Sequence, residues 1–189
     1  MDYIVDVQGF KQFNDVFVLK KFAMIAVDGD GIEATEFVVK PPYPFDNLSK
    51  HHQITNSWLT RNFHGVPWDS GTIVYEKARM HTCRILQNAR VVYVWGMEKK
   101  KWLTGVLGAS VAIIDLKEHE CPSMVRLKLM FDYRNAKNQF SKKFQCAGEN
   151  VELMKLWMLM NYTFPQPNED DTFALPAQKR SFQCHSTSV

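Results

Sequence analysis

The stretch Tyr3-Ile4-Val5-Asp6-Val7-Gln8-Gly9 decides how the rest of this chain is read. Its β-branched and aromatic residues favour an extended strand, and Gln8-Gly9-Phe10 closes it. Successive side chains of a strand point to opposite faces, so Asp6 and Gln8 share one face while Val5 and Val7 share the other. A lone carboxylate in such a strand commonly caps or pairs locally. Its meaning therefore depends on what the remaining elements bring to it.

Outward from that strand, residues 15–27 (DVFVLKKFAMIAV) form a second, long strand candidate. Asp28-Gly29-Asp30-Gly31 marks a turn, because its glycines tolerate positive φ. Residues 36–39 give a third strand, stopped by Pro41-Pro42-Tyr43-Pro44. These three make an antiparallel meander. After the prolines the pattern turns helical, first over 53–63 and more clearly over 72–86. In the second, Ile73, Ala78, Cys83, Ile85 and Leu86 gather toward one side, with Asp69 and Ser70 as cap candidates. Val91-Val92-Tyr93-Val94-Trp95 reads as a buried strand, 99–103 as a short helix and 111–115 as a last strand. Pro122 suits the first turn of a helix running to residue 130, and 149–161 (ENVELMKLWMLMN) is the clearest helix.

Right-handed crossovers let the later strands lie beside the first in parallel. The expectation is an α/β domain over residues 1–163, with a mixed central sheet of about five strands flanked by helices. Three of the strands form the antiparallel meander and the rest are parallel. Beyond it, Pro165, Pro167, Pro176, the acidic run Glu169-Asp170-Asp171 and a Ser/Thr/Gln-rich end predict a flexible C-terminal tail over 164–189.

A chain of 189 residues, 46% of them hydrophobic, can bury a sizeable core. A net charge of +3 permits contact with nucleic acid without requiring it. Cys83, Cys121, Cys146 and Cys184 stand far apart with no CxxC pair, which fits free thiols in a reducing compartment. Acidic residues near the start oppose a secretory leader, and no run approaches the roughly 18 apolar residues of a membrane span. The expected protein is soluble, cytoplasmic or nuclear, with no membrane partner.

Three segments together carry a family resemblance. His52-Gln53-Ile54-Thr55-Asn56-Ser57-Trp58-Leu59 resembles the H-G-I-T-x-x-x-L segment of DEDD-type 3′–5′ exonucleases, and lies, as there, between the third strand and the first long helix. Residues 91–103 (VVYVWGMEKKKWL) resemble that family's second motif, a strand followed by a helix bearing a metal-binding aspartate. Aligning Trp102-Leu103 on the family's F-L pair places Lys99 at the aspartate. Residues 145–151 (QCAGENV) match the frame of H-x-x-x-x-D at the last helix, with Gln145 at the general-base histidine and Asn150 at the final aspartate.

The resemblance spans residues 3–161 and implies an RNase H-like fold whose first strand delivers two acids. Here those positions are Asp6 and Gln8. Of five functional positions only Asp6 keeps its carboxylate, whereas a two-metal site needs several negative ligands to balance its cations. The resemblance thus implies a pseudo-exonuclease, with no catalytic residue expected among Asp6, Gln8, Lys99, Gln145 and Asn150. It resembles in this the Maelstrom domain, which has also lost the acids and carries a Glu/His/Cys/Cys zinc site instead.

The function expected is a non-catalytic module that binds RNA or single-stranded DNA through Lys99, Lys100, Lys101, Trp95 and Trp102. Plainer readings stand beside each: a lysine run as a solvated face, Trp95 as core, and Trp157 among Met and Leu as core packing. Two further expectations are a protein-interaction scaffold, with Thr187-Ser188-Val189 fitting a PDZ ligand, and a metal-dependent exonuclease using Asp6 with Asp115 or Glu149. No cofactor is expected. The alternatives are Mg²⁺ or Mn²⁺ at a residual site, or a structural zinc through His119, Cys121 and Cys146, with Cys184-His185 also in the tail.

Overall fold

The strand that opens the chain needs apolar partners on both faces, so it takes the middle of the sheet. In a computed structural model of the chain, which describes residues 1–29, 31, 34–131 and 145–161, β1 (Tyr3–Lys11) is flanked by β2 (Phe17–Ala26) and β4 (Val91–Val94). β3 (Thr35–Val38) and β5 (Ala112–Asp115) complete a five-stranded mixed sheet in the order β3-β2-β1-β4-β5. β1, β2 and β3 pair antiparallel, while β4 joins β1, and β5 joins β4, in parallel. The structure is thus α/β, with an open sheet flanked by helices.

Each face of β1 seeds its own core. Ile4 packs with Val151, Met154 and Met158 of α5 (Ala147–Asn161), together with α4 (Met124–Met130). Val5 and Val7 pack with Ala78 and Leu86 of α2 (Tyr75–Leu86) and Leu103 and Leu107 of α3 (Met97–Leu107). Period-two alternation therefore sends Asp6 and Gln8 toward the α5 side. A smaller cluster of Phe10, Val18, Leu48 and Trp68 closes the far end of β1 and β2, beside α1 (Lys50–Leu59).

A bulge sets the shape of this end. The register passes from Gln8↔Lys21 to Gly9↔Leu19, leaving Lys20 as the extra residue of β2. The Lys20 ammonium is buried and donates to the carbonyls of Trp68 and Ser70, and burial lowers its pKa to about 8. Gly9 is required because a Cβ there would overlap the Val18 carbonyl. A second buried lysine, Lys155 of α5, donates to the carbonyls of Ala26, Gly29 and Gly31, each at 2.9 Å. It fastens the end of the β2–β3 hairpin.

Several boundaries differ from those expected. The second strand starts at Phe17, not residue 15, because Asn14 adopts a left-handed φ of 57° and the Gln12 N–H turns back to the Val16 carbonyl at 3.0 Å. The first helix begins at Lys50, since Ser49 caps it by accepting from the His52 N–H; past Leu59 it widens into a π-type turn that ends at Gly65 (φ 72°). Asp69 and Ser70 do not cap α2, which starts at Tyr75. Residues 72 and 73 instead donate to the Val38 carbonyl, and Ser70 Oγ bonds the Pro67 carbonyl. Pro122 precedes the α4 cap, Ser123, rather than lying in the first turn. α3 and α5 are longer than expected, and the expected tail with its Thr187-Ser188-Val189 end lies outside the described residues. No helix among the described residues is long and apolar enough to cross a membrane.

Candidate functional site

Three elements converge on Asp6. β1 presents its carboxylate on the α5 side of the sheet, and the first turn of α5 faces it with Asn150. α3 begins immediately after β4, through Gly96 at φ 107°, whose carbonyl accepts from the Lys99 and Lys100 N–H groups. The tight turn swings Lys99 over β1 and onto Asp6. Asp115 holds that turn by accepting from the Gly96 N–H at 2.7 Å and the Lys117 N–H at 3.0 Å.

Asp6 is fully buried at 0% exposure. Its Oδ1 accepts from Lys99 Nζ in an ion pair, and its Oδ2 accepts from Asn150 Nδ2 at 2.8 Å. Gln8 is likewise buried and donates through Nε2 to the Gln145 carbonyl at 2.8 Å. The five positions singled out from the sequence thus fall into a trio and a pair: Lys99 and Asn150 on Asp6, and the Gln145 backbone on Gln8. Gln8 Oε1 and Asn150 Oδ1 are buried without hydrogen-bond partners among the described residues.

The electrostatic consequence is direct. An isolated carboxylate in a desolvated site is costly, and an ammonium at contact distance offsets that cost. Lys99 supplies the cation from within the chain. The two amides add dipoles but no charge, so the cluster is neutral overall and has one carboxylate to offer. Neutral amides bind a divalent cation far more weakly than carboxylates do. Among the described residues no group of three His, Cys, Asp or Glu side chains lies together as a metal centre would require.

The other metal-ligand candidates point elsewhere. The Cys121 thiol is buried against the Pro122 carbonyl, and burial together with Asp115 pushes its pKa up to about 12. Cys146 Sγ lies 3.2 Å from Lys21 Nζ, and Lys21 also pairs with Glu36. Asp115 is spent on backbone N–H groups and Glu149 pairs with Lys128 at 2.7 Å, so neither adds a carboxylate to Asp6.

The proposed nucleic-acid contacts divide in the same way. Lys99 is committed to Asp6. Lys100 faces Glu118 at 3.4 Å, and Trp95 packs against the core, donates to the Cys121 carbonyl at 3.1 Å and lies under Lys117. Lys101 is exposed and forms no ion pair with the described residues. Trp102 meets Phe17 edge-on, with ring centroids 5.9 Å apart. Those two aromatics, with Lys11, Met97, Glu98 and Lys101, line an open cavity of about 500 Å³ at the mouth between β1, β2 and α3. Lys11 and Glu98 form an ion pair across it.

Sequence reasoning missed Lys11, Phe17 and Glu98, and also Asn56. The Asn56 side chain is buried and grips one residue of β1 twice: Oδ1 accepts from the Lys11 N–H at 2.9 Å, and Nδ2 donates to the Lys11 carbonyl at 2.7 Å. It anchors α1 at the end of β1. Its sequence signal was its place in the His52–Leu59 segment. His64 closes the same end: its Nδ1 accepts from the Val66 N–H at 3.0 Å, and burial lowers its pKa to about 4.

No protein-family model matches this chain. No curated protein matches it in sequence either.

Proposed function

We propose that this chain is a nuclease-derived, non-catalytic module of RNase H-like fold that binds RNA or single-stranded DNA. One observation carries the reading: the single carboxylate left at the position proposed for a metal site is buried, neutralised by the chain's own Lys99 and hydrogen-bonded by Asn150. A lysine held there repels the divalent ions that a two-metal hydrolysis needs. The relation to DEDD-type exonucleases is supported by the strand order, with three antiparallel strands followed by two parallel ones, and by the convergence of motif positions on Asp6.

Binding without cleavage is supported by the open cavity beside α3, where Lys101, with no ion pair among the described residues, stands next to two aromatic rings. Basic grooves with stacking rings are the usual means of holding single strands. The test is fluorescence anisotropy with short labelled RNA and DNA at low salt, with Mg²⁺ or with EDTA. Binding should weaken as salt rises, be indifferent to EDTA, and leave the strand intact. No affinity at low salt would remove the nucleic-acid reading. Mn²⁺-dependent degradation abolished by Asp6→Ala would remove the non-catalytic one.

A second reading, a protein-interaction scaffold, is favoured by Ile54 and Trp58, one helical turn apart on α1 and 72% and 57% exposed. A partner bound through Ile54 and Trp58, with no nucleic acid in the complex, would favour it.

A further inference from the structure

We infer that the cavity beside α3 is a base-binding pocket that prefers cytosine to uracil in single-stranded RNA. The inference rests on the nucleic-acid reading above and goes beyond it by naming the site and the base.

A volume of about 500 Å³ falls within the size of small-molecule sites, and a single nucleoside fits it. Its walls are chemically divided. Phe17, Trp102 and Met97 form an apolar side on which a flat base can stack, with the Met97 thioether adding soft contact. Met97, the first residue of α3, is exposed. Lys101 at the rim has no acidic partner among the described residues, so its charge remains for a phosphate.

Glu98 sets the selectivity. A carboxylate in a pocket otherwise suited to a polyanion calls for a role, and Lys11 both cancels its charge and orients it by binding Oε1. Glu98 Oε2 is left without a partner among the described residues. A carboxylate oxygen accepts hydrogen bonds and cannot donate them. It therefore favours the exocyclic amine of cytosine, N4, and repels O4, which uracil carries at the same position. The Lys11–Glu98 pair also leaves the cavity with the net positive charge of Lys101, so a strand is still attracted.

The test compares oligocytidylate and oligouridylate of equal length, by anisotropy on the full chain at low salt. Oligocytidylate should bind about tenfold tighter, the scale of one hydrogen bond to a charged group. Glu98→Gln should collapse the ratio to about threefold or less, weakening oligocytidylate by loss of the charged acceptor and strengthening oligouridylate, since its amide can turn a donor toward O4. Lys101→Ala, at an exposed position where folding is not at stake, should weaken both and lower the salt slope by about one. Equal binding of the two oligomers by the parent, or a preference that survives Glu98→Gln, would overturn this inference and leave the nucleic-acid reading standing. If neither oligomer binds at low salt, that reading falls and this inference with it.

Discussion

Removing Lys99 should injure this fold more than removing Asp6, although the two make the same ion pair. The asymmetry follows from burial: the Asp6 side chain is 0% exposed, while that of Lys99 keeps 19% of its surface in water. Lys99→Met strands a fully buried carboxylate with, among the described residues, only the Asn150 amide to donate to it. Breaking a buried pair in that way costs about 3–5 kcal/mol. Asp6→Asn leaves an ammonium that can turn its free surface to water, and the new amide can still accept from Lys99 or Asn150. Its cost should be lower, about 2 kcal/mol. The double variant removes both charges together and should lie within about 1 kcal/mol of the parent, because neutral replacements of buried pairs are often harmless.

Urea unfolding of all four proteins measures this cycle, with m-values compared to show that the unfolding reaction is unchanged. The expected coupling is at least about 4 kcal/mol, with Lys99→Met the least stable of the set. Singles costing under about 1 kcal/mol each, with an additive double variant, would place the pair among exposed ion pairs of little weight. That result would refute the claim that Lys99 replaces a metal ion as the counter-charge of Asp6. A Mg²⁺-induced rise in the stability of Lys99→Met, absent from the parent, would strengthen it.

Asn56→Ala should lose two hydrogen bonds and leave the Lys11 N–H and carbonyl unpaired under α1; urea unfolding should show a cost of about 2–3 kcal/mol. Gly148→Ala gains about 1 kcal/mol of helix propensity, but its Cβ meets the Glu36 carboxylate and displaces it from Lys21. The net change should be near zero in the parent and stabilising in a Glu36→Ala background; equal effects in both would show that no overlap exists. His64 has a folded pKa of about 4 against an ordinary 6.5, so the unfolded chain binds the extra proton. Its contribution is present above pH 6.5 and is lost as pH falls toward 4. The stability of the parent relative to His64→Gln should therefore drop by about 2–3 kcal/mol between pH 7 and pH 4, as read by urea midpoints at several pH values.

How much of this was legible in the sequence depends on the range of the signal. The strands announced themselves because Ile4, Val5, Val7 and the 91–94 run carry their own β-branched pattern, and the α/β class with a mixed five-stranded sheet follows from their order. Cap errors had a common cause: Asp69 and Ser70 have the right chemistry, but pairing of residues 72 and 73 with Val38 claimed the backbone first. Asp6 and Gln8 were placed on one face by alternation alone. Lys99 and Asn150 were placed beside them through a resemblance in motif spacing, and the structure brings both side chains onto the Asp6 carboxylate. The cavity had no comparable signal. Lys11, Phe17 and Glu98 come from three elements, and none has a local pattern that marks it as a wall. The buried lysines were hidden for the same reason, since Lys20 and Lys155 are satisfied by carbonyls more than 40 residues away along the chain. On the proposed exonuclease ancestry, the site would keep its spacing in the sequence after its charges had gone. The cavity offers no such spacing: Lys11, Phe17 and Glu98 are brought together only by the fold.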